Sequence, residues 1–421
     1  MIAVVGGLVV GLSAAYYLSQ SGADVVLFER TSLGQGRTWG SAGWITPSES
    51  APVVGPEAVR QVLHSLGRPS SPLYIRPTLD PGLYRWLLQA VRYCNSAAAT
   101  RGMRALAELG RPTFELYDEL ERAGLGAGMT AQGLLHVFSR ERSAAKSLAS
   151  AAVMRSYGYA VPDGLLSGAE LRELEPTLSQ QAEAGYLIGE ERHIDPARMT
   201  AGLAGLARKS GTKVHEKAEV TRLHCTAGLV RAVSVGEGSL PVDSVVLAGG
   251  ALSGTLLRPI GVRLPLTAGK GYSFLHRLRV LPRRPIHLGD IKVAVTPFAR
   301  GLRVAGTMEL SGNNDTVHRS RADAIARVTA QYFSGWDDFD GNGNDRKSAE
   351  LWVGRRPLTP DGLPILDRVH PFENLYLATG HSMLGITLAP ASGKALSDYM
   401  MSGKRPAPLE PFRLDRFGNH R

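Results

Sequence analysis

This sequence contains few cysteines and no long apolar run. Its two cysteines, Cys94 and Cys225, are far apart among 421 residues and lack the spacing of a metal or redox motif. We therefore expect two reduced thiols, as is usual in a cytoplasmic protein, rather than a disulfide framework. No stretch of about 20 uninterrupted apolar residues occurs, so we expect no membrane-spanning helix, whereas peripheral contact with a membrane stays open.

The sequence also lacks clustered charge. Lysine and arginine number 48 against 38 acidic residues, which gives a formal net charge of +10. The basic side chains are scattered, with no basic run and no interleaved aromatic residues, so we expect no nucleic acid partner. A dispersed excess of positive charge instead favours an anionic small-molecule substrate.

One loop motif typical of calcium sites is incomplete. The segment that begins at Asp338 follows the D-x-D-x-N-G start of such a loop. However, the twelfth position is Ala349, and Glu350 comes one residue too late to supply the bidentate carboxylate. We interpret the segment as a surface loop and expect no metal site.

The start of the sequence carries a dinucleotide-binding fingerprint. In order, it comprises a strand over Met1 to Val5, the turn Gly6-Gly7-Leu8-Val9-Val10-Gly11, a helix over Leu12 to Ser21 and a strand over Asp24 to Phe28. Glu29 follows Gly11 by eighteen positions, about where a ribose hydroxyl needs an acceptor. The pattern predicts a βαβ unit that binds phosphates at the N-terminus of its helix.

One residue departs from this fingerprint. Glycine is expected at the first, third and sixth positions of the turn, and the third is Leu8. The middle glycine lets the backbone come close to a pyrophosphate, so an isobutyl group there would intrude on the ligand. Either the nucleotide binds with a shifted turn, or the chain has lost its cofactor.

The rest of the sequence divides into alternating blocks. The length favours two domains, and the order of α/β, helix-rich and β-rich patterns favours domains that are interleaved. We expect a nucleotide-binding domain formed by 1–55, 184–258 and 345–405. The substrate domain would comprise 56–183 and 259–344, and 406–421 would form a C-terminal tail.

Five segments in this order resemble a known family. They are Val4 to Gly11, Gly34 to Pro47, Leu247 to Ser253, Gly354 to Pro364 and Gly380 to Pro390. Together they resemble the FAD-dependent D-amino-acid dehydrogenases, with glycine oxidase and sarcosine oxidase as more distant relatives. The resemblance implies an α/β fold in which a glutathione-reductase-type Rossmann FAD-binding domain is interleaved with an α+β substrate domain that contains an antiparallel sheet.

The resemblance also implies a reaction. Hydride transfer from the α-carbon of a D-amino acid or imino acid to the flavin gives an imine, and the electron acceptor stays unidentified. Arg356 matches the arginine that holds the substrate carboxylate, a task that suits its planar fork. His381 and Tyr272 are the other candidate catalytic residues. For each of the three, a purely structural role remains an alternative.

The same resemblance assigns the cofactor contacts. The expected FAD-binding residues are Gly6, Gly7, Leu8, Gly11, Glu29, Arg30, Gly43, Trp44, Val220, Gly249, Gly250, Gly380, Leu384, Gly385 and Thr387. The terminal helix that follows Leu384 would point its positive end at the flavin.

Several positions depart from the family pattern near the nucleotide and flavin. They are Leu8, Arg37, Leu252, Asp367 and Ser382, the last of which replaces the glycine after His381. Two functions follow. We predict an FAD-dependent amino-acid oxidoreductase, because Gly6, Gly11 and Glu29 are kept. The alternative is a flavin-free descendant that catalyses a redox-neutral reaction on an amino-acid-like substrate in a biosynthetic pathway, or only binds a ligand.

Overall fold

A computed structural model describes residues 1–33, 40–56, 71–312, 314, 316–336 and 351–418. The predicted positions Arg37 and the loop from Asp338 lie outside these residues. Within them, no helix combines the length and the apolar composition that crossing a membrane requires.

The described residues contain twenty strands. In chain order they are β1 (Ile2–Val5), β2 (Val25–Phe28), β3 (Trp44–Ile45), β4 (Leu73–Ile75), β5 (Leu134–Phe138), β6 (Leu166–Ser167), β7 (Ala184–Ile188), β8 (Arg192–His193), β9 (Lys213–His215), β10 (Val220–Thr226), β11 (Leu229–Val235), β12 (Gly238–Pro241), β13 (Ser244–Leu247), β14 (Thr267–His276), β15 (Ile286–Leu288), β16 (Val293–Phe298), β17 (Gly301–Leu310), β18 (Trp352–Leu358), β19 (Ile365–Arg368) and β20 (Leu375–Thr379).

The described residues contain ten α-helices, some of which begin at recognisable capping signals. They are α1 (Val9–Gln20), α2 (Pro81–Val91), α3 (Ser96–Gly110), α4 (Thr113–Arg122), α5 (Glu141–Ala151), α6 (Gly168–Leu174), α7 (Pro196–Lys209), α8 (Ser253–Leu257), α9 (Arg319–Ala330) and α10 (Gly385–Ser402). Helix α7 is an example, because the Asp195 carboxylate accepts hydrogen bonds from the Ala197 and Arg198 amides, and Pro196 fills the first helical position.

The first sheet has the strand order β19-β20-β13-β1-β2-β9 and is parallel apart from the β19–β20 pair. Strands β1 and β2 are adjacent and joined through α1, so the predicted βαβ unit is present. The antiparallel sheet β10-β11-β12 packs on this sheet through apolar residues that include Val230 and Val245. Helices α1, α7 and α10 contribute to the apolar cluster that also contains Val4 of β1.

The second sheet has nine strands in the order β18-β14-β17-β16-β15-β5-β7-β6, and β4 pairs with β17. It is the antiparallel sheet expected of the substrate domain, with parallel pairs at β15–β5 and β17–β4. Two segments differ from the predicted domain boundaries. Strands β7 and β18 fall within 184–258 and 345–405, yet they pair with β5 and β14 of this second sheet. An alternating apolar pattern predicts a strand without identifying its partner, so the sheet could not be assigned from sequence.

Candidate active site

A cavity of about 610 Å³ lies between the two sheets. On one side it reaches the residues that follow the carboxyl ends of β1, β13 and β20, together with the starts of α1 and α10. On the other side it reaches one face of the nine-stranded sheet. Ligands of open α/β sheets bind at the carboxyl ends of the strands, so the cavity is the candidate active site.

The glycine turn before α1 requires its glycines for backbone packing. Gly6 has φ of +119°, and a Cβ there would lie 2.6 Å from the carbonyl oxygen of Ala248. A Cβ on Gly11 would lie 1.9 Å from the carbonyl oxygen of Gly6. Real side chains do not tolerate such distances, so the first and sixth positions of the fingerprint are explained by the fold itself.

Leu8 occupies the N-cap of α1 with φ of −86° and ψ of 175°, an ordinary extended conformation for leucine. Its side chain borders the cavity. Among the described residues, no side chain caps the helix, and the first turn carries no acidic residue. The first amides of α1 are therefore available to an anion such as a pyrophosphate.

Glu29 is fixed beside this turn. Its carboxylate accepts hydrogen bonds from the Gly7 amide at 2.9 Å, and from the Thr31 amide and hydroxyl at 2.9 and 2.7 Å. A carboxylate has about four acceptor positions, so one remains for a ribose hydroxyl.

The segment from Gly40 to Thr46 joins the two sides of the cavity. The Trp44 indole N–H donates to the Thr296 hydroxyl on β16 at 2.8 Å. On the other side, the Thr387 hydroxyl of α10 donates to the Trp44 carbonyl at 3.2 Å and accepts from the Thr46 amide at 3.1 Å. Trp44 and Thr387 therefore position this segment against both domains.

His381 and Ser382 lie before the start of α10 and line the cavity. The Nε2 atom of His381 is 2.9 Å from the Ser392 hydroxyl, and burial lowers the pKa of His381 to about 4, so the ring is neutral near pH 7. Ser382 has φ of +52°, and its buried hydroxyl has no hydrogen-bond partner among the residues that the structure describes. A left-handed serine with an unpaired hydroxyl is the kind of strain that accumulates at functional sites.

Arg356 lies on β18 and lines the cavity. Its Nη1 donates to the Thr307 carbonyl at 2.8 Å, and a Cβ on Gly271 would lie 2.3 Å from Cζ, so this glycine makes room for the guanidinium. Desolvation lowers the pKa of Arg356 to about 10, which leaves it protonated near pH 7. Over the part of the chain that the structure describes, it has no carboxylate partner. A desolvated cation without a counterion favours an anionic ligand.

Tyr272, predicted as a catalytic residue, borders the cavity, and neighbouring groups engage its hydroxyl. Tyr272 is fully buried, and its hydroxyl donates to the buried carboxylate of Glu309 at 2.8 Å and accepts from the His318 amide at 3.4 Å. Its ring packs in the apolar cluster that contains Ile325 of α9. Side chains alternate between the two faces of a strand, so the neighbouring Ser273 lies on the opposite face from Tyr272. Its hydroxyl donates a hydrogen bond to the Gly40 carbonyl, in the segment from Gly40 to Thr46.

One row of paired residues crosses the cavity face of the nine-stranded sheet. In order, these are Trp352, Ser273, Ala305, Ala294, His287, His136 and Tyr186. Glu49 approaches the two histidines from the segment before α2. Sequence analysis missed His136, His287 and Glu49, because each is isolated in the sequence and only strand register brings them together.

The structure separates the predicted site residues into two groups. Those that line the cavity are Leu8, Gly43, Trp44, Gly249, Gly250, Tyr272, Arg356, His381, Leu384, Gly385 and Thr387. Those that do not are Gly6, Gly7, Gly11, Glu29, Arg30, Val220 and Gly380. Gly6, Gly7, Gly11 and Glu29 support the turn from behind, Arg30 is exposed, and Val220 is buried under the first sheet.

The departures from the family pattern do not all cluster at the cavity, contrary to expectation. Leu8 and Ser382 line it, whereas Leu252 does not. The Asp367 carboxylate instead pairs with Arg405 and accepts from the Leu414 amide at 2.7 Å, which anchors the C-terminal segment. Arg37 lies outside the described residues.

Comparison with known proteins identifies the family. The model for FAD dependent oxidoreductases, the DAO family, matches residues 1–399. The chain belongs to this family. It is 33% identical over 413 residues to the D-amino acid dehydrogenase of Cereibacter sphaeroides, across 96% of this chain and 92% of the relative. It is 30% identical over 427 residues to the D-amino acid dehydrogenase of Bradyrhizobium diazoefficiens, across 99% of both.

Solved structures agree on the fold of this DAO-family chain. Glycine oxidase from Geobacillus kaustophilus superimposes with a TM-score of 0.74 at 22% identity, across 99% of this chain and 98% of that one. L-proline dehydrogenase from P. horikoshii gives 0.74 at 18% identity, across 99% and 97%. The predicted fold class, family and FAD cofactor are confirmed, and the flavin-free alternative is not supported.

The residues present fit FAD. The available amides of α1, the fixed carboxylate of Glu29 and the cavity that continues to Arg356 supply an anion site, a hydroxyl acceptor and space. Leu8 does not prevent this fit through its backbone, because its dihedral angles are ordinary and the amides behind it stay available.

Proposed function

We propose that this DAO-family chain oxidises the CH–NH bond of an amino acid, with D-amino acids as the first candidates. The observation that carries the proposal is Arg356, a desolvated cation with no carboxylate partner among the described residues. The carboxylate of an amino acid supplies the missing anion through paired hydrogen bonds. The two bacterial relatives named D-amino acid dehydrogenase support the substrate class.

The cofactor would be held by the first domain. In this proposal the α1 amides bind the pyrophosphate of FAD, and Glu29 accepts from a ribose hydroxyl. The other residues predicted to contact FAD that line the cavity would also contribute. They are Gly43, Trp44, Gly249, Gly250, Leu384, Gly385 and Thr387. When bound, FAD supplies the hydride acceptor for the substrate α-carbon.

The protein's own groups would orient the substrate and control charge. Arg356 fixes the carboxylate, and so limits which substrate C–H bond faces the cofactor side of the cavity. Within the described ranges, no side chain caps the start of α10 and its first turn has no acidic residue, so its amides stabilise negative charge in the cavity. His381 acts as a positioning residue, because its neutral ring is bonded to Ser392 of the same helix.

We also propose that the protein is cytoplasmic and that its partners are small molecules. Both cysteines are free thiols. Cys94 packs against one apolar cluster and Cys225 against another, which supports a reducing compartment. The electron acceptor is to be distinguished by comparing oxygen consumption with the reduction of an artificial dye during turnover.

The test is reduction of the bound flavin. The purified protein should absorb at about 450 nm, and anaerobic addition of D-amino acids should bleach this band. The bleaching caused by the L-isomers of the same amino acids is measured for comparison. Arg356→Ala should raise the amino acid concentration needed for half-bleaching by about 10-fold or more, since hydrogen bonds to a charged group contribute about 1.5–3 kcal/mol. Arg356→Lys keeps the charge but loses the planar guanidinium, so its half-bleaching concentration should lie between those of the wild type and Arg356→Ala. An unchanged concentration in Arg356→Ala, or no bleaching by any amino acid, would overturn the proposal.

A further inference from the structure

Three side chains that the proposed reaction does not use meet at one end of the cavity. His287 on β15 and His136 on β5 have their Nδ1 atoms 3.2 Å apart, and the Glu49 carboxylate is 3.4 Å from His136 Nε2. One ligand atom from each residue can be chosen so that all lie within 4.8 Å of one another. Glu49 and His287 line the cavity, and His136 is buried behind them.

The surrounding structure holds this group in place. His287 and His136 are direct partners in the parallel β15–β5 pair, so both rings project from the same face. The His136 ring stacks on Tyr186 with centroids 4.4 Å apart, and Trp44 packs edge-on against His287 at 5.8 Å. Rings restrained in this way are already in position for a ligand.

One buried nitrogen of this group is available as an electron-pair donor. His136 is 1% exposed, and its Nε2 has no hydrogen-bond partner in the part of the chain that the structure describes. The Nδ1 atoms of His136 and His287 share one hydrogen bond at 3.2 Å, so one ring carries its proton on Nδ1 and the other accepts there. An unsatisfied buried nitrogen costs about 1–3 kcal/mol unless a ligand uses it.

Ionisable groups surround the three side chains. Beside Glu49 lies the buried carboxyl group of Glu191, whose Oε1 accepts from the Ser48 amide at 3.0 Å and whose Oε2 has no hydrogen-bond partner among the described residues. The cation that faces the group is Lys292, whose charge acts on both histidines and on Glu49. A divalent ion bound by these three side chains would stabilise the Glu49 carboxylate as an anion.

We propose that Glu49, His136 and His287 bind a divalent transition-metal ion, with Zn²⁺ as the best match. Two imidazoles and one carboxylate are a ligand set that this ion accepts. Ligand atoms of a tetrahedral Zn²⁺ are about 3.3 Å apart, given Zn–N bonds of about 2.0–2.1 Å, and Nε2 of His136 lies 3.4 Å from the Glu49 carboxylate. The fourth position faces the cavity, where a water or a donor atom of a bound molecule completes the coordination. Sequence spacing predicts no metal site because residues 49, 136 and 287 form no motif.

The experiment measures metal binding to the full-length, flavin-loaded protein without turnover. After chelator treatment, equilibrium dialysis should find one Zn²⁺ per chain, and Cu²⁺ bound in its place should show nitrogen couplings in its electron paramagnetic resonance spectrum. His287→Ala and Glu49→Gln should each weaken Zn²⁺ binding by about 10-fold or more. The matched control is His224→Ala, since His224 is a partly buried histidine on β10 that contacts Ser234. This variant should bind Zn²⁺ like the wild type.

Flavin content and thermal melting confirm that each variant is folded. Absence of stoichiometric Zn²⁺, or Zn²⁺ binding that is unchanged in both cluster variants, would overturn the proposal. Because no amino acid is present in the dialysis, the result is independent of the proposed oxidation.

Discussion

The two sides of the cavity are built in different ways. The α1 side is formed by residues close in sequence, Gly6 to Gly11 with Glu29, and its contacts come mainly from the backbone. The sheet side is formed by the side chains of Arg356, His287 and His136, which strand pairing collects from distant parts of the chain. The α1 side therefore depends on the spacing of residues along the sequence, and the sheet side depends on the register in which strands pair.

This difference has consequences for substitution. On the α1 side, the glycines contact carbonyl groups that cannot move independently, so an added carbon disturbs the fold and the cofactor site together. On the sheet side, small residues such as Ala294 and Ala305 leave open volume above the strands. An added side chain there should restrict the substrate without altering the backbone.

The largest effect is expected on the α1 side, for Gly11→Ala. The new Cβ would lie 1.9 Å from the Gly6 carbonyl oxygen and 3.1 Å from the Ala248 side chain. We expect a loss of at least about 3 kcal/mol in the free energy of unfolding, with loss of bound flavin. Denaturant unfolding and the flavin-to-protein absorbance ratio measure the two effects.

Gly205→Ala is the matched control for this substitution. Gly205 lies within α7, is exposed, and has nothing within 4 Å of a built Cβ. The added methyl should stabilise the helix by about 0.5–1 kcal/mol and leave the flavin content unchanged. Similar losses in both variants would show that the close approach at Gly11 is not the cause.

The sequence allows the α1 side to be predicted because its chemistry is local. The spacing of Gly6, Gly11 and Glu29 reflects one turn and one adjacent strand, so the motif and the geometry coincide. Family motifs farther along the chain were less reliable guides to position. Asp367 belongs to such a motif, yet its side chain faces Arg405 and the C-terminal segment rather than the cavity.

The sheet side was predicted only in part, because register decides what its side chains meet. Arg356 was found through a family motif, whereas the partners of His136 depend on which strands pair. The pairing of β14 with β17 changes register between Lys270 and Tyr272. At this point the Tyr272 hydroxyl donates a hydrogen bond to Glu309. A one-residue change of register reverses the face of every side chain, and an alternating pattern within one strand does not identify the strand with which it pairs.

A smaller effect is expected on the sheet side for Ala294→Leu. Ala294 lies between Ala305 and His287 in the paired row and borders the cavity. Filling this space should raise the KM for amino acids by about 10-fold, or about 1.4 kcal/mol, while flavin content and unfolding free energy stay near wild type. Ala294→Ser, which adds little volume, should leave KM within about twofold. Loss of flavin in Ala294→Leu would contradict the separation of the two sides.

The smallest effect is expected for Leu8→Gly, which restores the fingerprint. Leu8 has ordinary backbone angles, and the amides that would bind the pyrophosphate belong to the residues after it. Glycine and leucine should therefore present the same amides, and the Kd for FAD should change by less than about threefold, or about 0.7 kcal/mol. Fluorescence titration of the flavin-depleted protein measures this. An affinity at least tenfold tighter in Leu8→Gly would show that the isobutyl group intrudes on the cofactor, so that even on the α1 side a side chain, and not the backbone alone, determines binding.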